Sequence, residues 1–117
     1  MRRTVVVPIG SAGTAAGLTL GLRIAGLRTR VLGIVVNDAF PLDAPVIARL
    51  ATRTAHLLEE HGATGLPTIA PTDLDTRADW LGRTYGDPTP ASTRMVARAG
   101  QADLELDSMD VLNLMAA

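Results

Sequence analysis

An α/β fold with a small parallel, Rossmann-like sheet and flanking helices is the class this sequence predicts, on three observations. Thr4-Val5-Val6-Val7-Pro8-Ile9 and Arg30 to Val36 are short, unbroken, β-branched runs of the kind buried on both faces of a parallel sheet. Each is followed by a stretch of helical character, giving a βαβα order. Between the first strand and its helix lies a turn of small residues, Gly10-Ser11-Ala12-Gly13-Thr14.

Taken in order, the first helix is expected from Ala15 to Leu27, with Thr14 or Ser11 as its N-cap. Thr19 and Arg23 are its only polar side chains, which predicts burial on several sides. Gly17 and Gly21 cost about 1 kcal/mol each against Ala in a helix, and close backbone packing is the usual compensation. Asn37 to Leu42 reads as a loop. Asp43 is placed to cap a second helix reaching His61, and Gly62 to end it. Val46, Leu50, Thr54, Leu57 and His61 share one stripe of that helix, with Ile47, Ala51 and Leu58 beside it. Arg49, Arg53, His56 and Glu60 fall on the opposite side, which is expected to face solvent.

A third strand is expected near Pro67 to Ala70, followed by a long loop over 71–88. Pro90 suits the first turn of a helix spanning about 89–99 and ended by Gly100. Asp103 to Leu106 is a candidate final strand, and Ser108 a candidate cap for a last short helix. The 117 residues are expected to form one domain, which at that length buries roughly two thirds of its unfolded surface.

Composition narrows the function. A net charge of −1 argues against electrostatic binding to nucleic acid or membrane. No apolar run approaches the ~20 residues of a membrane span, and no leader pattern precedes the first strand, so a cytoplasmic location is expected. Cys is absent, which removes disulfides and thiolate chemistry. All eleven basic residues are Arg, so no side-chain amine is present to form a Schiff base. The turn 10–14 is the one feature with an anion's chemistry: exposed backbone N–H groups at a helix N-terminus attract phosphate without help from a cation. Its spacing matches neither the dinucleotide fingerprint nor the lysine-bearing phosphate loop, and on its own the turn equally reads as one that packs a helix on a sheet.

Other candidates read as structural. His56 and His61 lie on different helix faces and do not form a two-His metal site, and Asp73, Asp75 and Asp79 lack the calcium-loop pattern. No metal site is expected. Ser11, Ser92 and Ser108 have no His–Asp arrangement.

Extended, the segment Gly10-Ser11-Ala12-Gly13-Thr14-Ala15-Ala16-Gly17-Leu18 resembles the phosphate cup of pyridoxal-phosphate enzymes of the tryptophan-synthase-β fold group, fold type II. Leu74-Asp75-Thr76-Arg77 and Tyr85-Gly86-Asp87-Pro88-Thr89 are similar to segments of the 1-aminocyclopropane-1-carboxylate deaminase and D-cysteine desulfhydrase family. Ile47-Ala48-Arg49, Thr54-Ala55 and Leu57-Leu58 resemble its intervening helix, so the likeness runs from about residue 4 to 107. The resemblance implies half of the large catalytic domain. It assigns Gly10, Ser11, Ala12, Gly13 and Thr14 to the phosphate of pyridoxal 5'-phosphate. It places Tyr85 at the active site, in a catalytic role, and gives Asp75 and Arg77 the task of fixing the loop that leads there.

The departures are equally specific. The family's Schiff-base lysine and proton-abstracting groups precede the matched region and have no counterpart here. Ala99-Gly100 and Asp107-Ser108-Met109-Asp110 stand where the family has Glu-Gly and Asp-Pro-x-Tyr. The expected function is therefore that of a truncated or split enzyme, inactive alone, that supplies the phosphate cup to a lysine-bearing partner chain. A non-catalytic partner of a full-length homologue, and an independent binder of a small phosphorylated ligand, are the alternatives. The apolar surface expected on Leu18, Leu20, Leu22, Ile24 and Leu27, with Met109–Met115, predicts a homo-oligomer or a tight heteromer.

Overall fold

The computed structural model describes residues 3–36, 42–79 and 90–103. Strand β1 (Thr4–Ile9) leads into helix α1 (Gly13–Ile24), strand β2 (Arg30–Val35) into helix α2 (Ala44–Glu60), and a 3-10 turn at Pro71–Asp73 into strand β3 (Leu74–Arg77). Helix α3 (Pro90–Gln101) follows. The strands form a three-stranded parallel sheet in the order β1-β2-β3. The predicted α/β class with a small parallel sheet and flanking helices is the observed one.

Register explains the core. Val5, Val31 and Leu74 lie side by side, as do Val7, Gly33 and Thr76 in the next row and Ile9 and Val35 in the last. Against this face pack α1 and α2, which also pack on each other. Ile9, Val31, Ala15, Ile47 and Ala51 are almost completely buried there. Gly33 is required at the centre of the layer, because a Cβ at that position would lie 2.0 Å from Cδ1 of Ile9. The side chain of Ile9, the last residue before the glycine turn, occupies the space Gly33 leaves.

Several expectations are corrected. The third strand is Leu74–Arg77 instead of Pro67 to Ala70, so the long loop over 71–88 is interrupted by the 3-10 turn and by β3. Residues 67–70 are drawn to α2: the Thr52 hydroxyl accepts from the Ile69 N–H and donates to the Ile69 carbonyl, both at 3.4 Å. Leu74 is the apolar residue that reaches the sheet, beside Val31. Helix α1 starts and stops earlier than Ala15 to Leu27, and α3 passes through Gly100 and is followed by Asp103 at φ 57°. Asp103 sits in that turn, while the rest of the expected strand to Leu106, and Ser108, lie outside the described residues.

The buried seam of α2 is Ile47, Ala48, Ala51 and Ala55, not the stripe through Val46, Leu50 and Leu57. Small Ala side chains allow α2 to lie close to the sheet and α1, which turns the larger Val46 and Leu50 to the margin and leaves Leu57 54% exposed. Gly17 and Gly21 are exposed, with nothing within 4 Å of where a Cβ would lie, so no close neighbour among the described residues compensates their helical cost. On α1, Leu20 is buried and Leu18 and Leu22 are half-buried against the core. Ile24, and Leu27 just beyond the helix, are about half exposed, at 49% and 51%. Residues Met109–Met115 lie outside the described residues. No described helix is long and apolar enough to cross a membrane.

Arg23 ties the C-terminal end of α1 to the strands. Its guanidinium donates to the Leu27 and Thr29 carbonyls, both at 2.9 Å, and to the Asp73 carbonyl at 3.3 Å. The Asp73 carboxylate, 3.6 Å from its Nε, also accepts from the Ala70 N–H and so fixes the turn that delivers β3.

Candidate functional site

In a parallel α/β unit both helices begin at the carboxyl ends of the strands, which is where ligands of such sheets bind. At β1 the chain leaves the sheet through Gly10 and Ser11 and enters α1 through Ala12, which stands at φ 75° and ψ −8°. An L-residue in this left-handed conformation costs about 1–2 kcal/mol. Its methyl group is buried in the core, 4% exposed, so the residue is held from the inside while its backbone faces the turn. A left-handed residue followed by right-handed helical ones brings successive N–H groups round a concavity of the kind that receives anions.

Neither Ser11 nor Thr14 caps the helix. The N-cap is Ala12, no described side chain caps the first turn, and that turn contains no acidic residue. The first intrahelical bond is Ala16 N–H to Ala12 carbonyl at 2.9 Å, so the N–H groups ahead of Ala16 point out of the helix end. Ser11, Gly13 and Thr14 are exposed, and a Cβ on Gly13 would meet only the Ser11 hydroxyl oxygen, at 4.0 Å. The five residues singled out from the sequence are thus contiguous around one open helix end.

Beside this turn lies a cleft of about 400 Å³ bounded by Ser11, Ala12, Leu42, Val46, Arg49, Leu50 and Arg53. Val46, Arg49, Leu50 and Arg53 line it from one face of α2, so apolar side chains and two arginines from successive turns share that wall, while Ser11 and Ala12 belong to the turn. Arg49 and Arg53 are exposed and form no ion pair among the described residues. Sequence periodicity put both on the side of α2 facing away from everything. The shift of the buried seam to the alanines rotates the helix so that they border the cleft. The signal that points to them is the composition of α2 itself: Ala48, Ala51 and Ala55 form a competing, narrower seam.

Asp75 and Arg77 make charge-assisted bonds, but not to each other and not in a loop. Both are in β3, where Asp75 accepts from Arg30 at 3.0 and 3.1 Å and Arg77 donates to Asp79 at 2.6 Å. The Arg77 hydrogen bond holds the Asp79 carboxyl below its ordinary pKa. Asp73, Asp75 and Asp79 each face an arginine, and among the described residues no group of three or more acidic or His side chains could hold a metal ion. His56 and His61 are both exposed. Tyr85, assigned to the active site by the resemblance, lies outside the described residues.

No protein-family model matches this chain, and no curated protein matches it.

Proposed function

We propose that this chain provides the phosphate-binding cup for pyridoxal 5'-phosphate, with Gly10, Ser11, Ala12, Gly13 and Thr14 around the phosphate and the Schiff-base amine supplied by a lysine-bearing partner chain. The observation that carries the reading is Ala12 at φ 75°, heading a helix end that no described side chain caps. Backbone strain of this size persists where the surroundings impose it, and such strain concentrates at ligand-binding turns. A dianion there meets the helix dipole and the outward N–H groups together. The bound cofactor would supply an electron sink; this chain would supply position, and the absence of Lys leaves it without the covalent anchor. The likeness of residues 10–18 and 74–89 to the deaminase and desulfhydrase family supports this cofactor over other phosphates. The same turn would serve a binder of another small phosphorylated ligand.

The test is amide chemical-shift mapping with inorganic phosphate, pyridoxal 5'-phosphate and unphosphorylated pyridoxal. Phosphate and pyridoxal phosphate are expected to shift residues 10–15 and pyridoxal is not. Gly13→Val, which the open space at that position accommodates, is expected to abolish the shifts while preserving the fold. The purified chain is expected to show no lysine-type internal Schiff-base absorbance and to release neither ammonia from 1-aminocyclopropane-1-carboxylate nor sulfide from D-cysteine. Shifts centred elsewhere, or turnover by the isolated chain, would refute the proposal.

A further inference from the structure

We infer that Arg49 and Arg53 form a second anion-recognition element in the cleft, so that the preferred ligand carries a phosphate at one end, a flat apolar body, and a carboxylate at the other. The inference stands on the cleft and its two cations, and it rests on the proposed cup for the position of the phosphate.

The cleft holds about 400 Å³, toward the small end of ligand pockets, and suits a molecule with one aromatic ring and two small substituents. Leu42, Val46 and Leu50 offer the apolar surface on which a ring can lie. Ser11 and Ala12 bring the cup's rim to the same cavity. A phosphate seated on the turn therefore shares one cleft with the α2 face that carries Arg49 and Arg53 beside Val46 and Leu50. Arg49 and Arg53 are separated by four residues and so are neighbours on one helix face. Guanidinium forks match a planar carboxylate in two parallel hydrogen bonds, a geometry that a phosphate already held by the turn does not need. The arginines around the sheet differ in kind: Arg23, Arg30 and Arg77 are committed to Asp73, Asp75 and Asp79.

In the context of the proposed cofactor, the carboxylate belongs to an amino-acid substrate. Arg49 and Arg53 would then be specificity-determining residues that select α-carboxylates over amines lacking one.

The experiment compares binding of phenyl phosphate, 4-carboxyphenyl phosphate and benzoate to the full chain, by calorimetry and amide shifts. Controls are Arg49→Gln/Arg53→Gln and, for general loss of charge, Arg94→Gln/Arg98→Gln on α3. The carboxylated phosphate is expected to bind the parent about tenfold more tightly than phenyl phosphate, the worth of one charge-assisted pair. That preference is expected to vanish in the α2 variant and survive in the α3 variant. Equal affinity of the two phosphates for the parent, with residues 10–15 still shifting, overturns the arginine assignment and leaves the cup standing. Benzoate binding that depends on Arg49 and Arg53, without any phosphate shift at residues 10–15, supports the arginine element and overturns the cup. Loss of the preference in the α3 variant as well overturns the inference, because the effect is then one of net charge.

Discussion

Helix α2 is entered through Asp43, in extended backbone, whose carboxylate accepts the Val46 N–H at 3.1 Å while Pro45 sits in the first turn. Helix α1 is entered through Ala12, in left-handed backbone, with no capping side chain. Both ends follow a strand of the same parallel sheet and present the same dipole, yet among the described residues only the α2 end has a side-chain cap. A carboxylate cap contributes about 0.5–2 kcal/mol to a helix, whereas a left-handed Ala costs about 1–2 kcal/mol. The contrast teaches that the α1 end is not merely a weaker version of the α2 end. One end is closed by an Asp side chain, and at the other no side-chain cap is present among the described residues.

The largest effect expected from breaking this contrast comes from Gly33→Ala. Its Cβ would lie 2.0 Å from Cδ1 and 2.8 Å from Cγ1 of Ile9, forcing that side chain aside just before the α1 turn. A cost of about 1–3 kcal/mol is expected by urea denaturation. The amides of residues 10–15 should move, and those of 43–46 should not. Wild-type stability in this variant would mean that the turn does not depend on the packing of Ile9.

A smaller effect separates the two ends directly. Asp43→Ala is expected to lower stability by about 1 kcal/mol, because an orphan N–H loses its acceptor. Ser11→Ala, which removes no cap, is expected to change it by less than ~0.5 kcal/mol. In Asp43→Ala, added phosphate should also shift residues 44–46, where the parent shows shifts only at 10–15. Equal losses from the two substitutions would erase the distinction between the helix ends.

The smallest effect belongs to an exposed pair remote from both. The hydrogen bond from Arg77 lowers the Asp79 pKa from its ordinary 3.8. Its stabilisation is therefore fully present above that ordinary value and is lost as pH falls through the lowered one. An NMR titration should find Asp79 below the ordinary range and returned to it in Arg77→Gln. Because both groups are exposed, global stability near neutral pH should barely respond to that substitution.

Legibility followed the range of the interactions involved. β1, β2, the Asp43 cap and the Gly62 stop were readable because each depends on a few consecutive residues: β-branched runs, one carboxylate near three N–H groups, and a glycine at φ 105°. The small-residue turn was readable as an anion-binding candidate on the same grounds. Its actual cap was not, since Ala12 has no side-chain acceptor and adopts its left-handed conformation with its methyl group held in the core.

What the amino-acid order by itself determined about this protein is the α/β class, the first two strands, and the start and end of α2. Local backbone preferences and short-range hydrogen bonds suffice for all of these. Only the tertiary structure decided that Leu74 and not Ile69 enters the sheet, that Arg30 takes Asp75, and that alanines form the seam of α2 and bring Arg49 and Arg53 beside the turn. Those choices join residues far apart in the chain, and they are settled by which pairing fills the layer between sheet and helices without a void or an unpaired polar group.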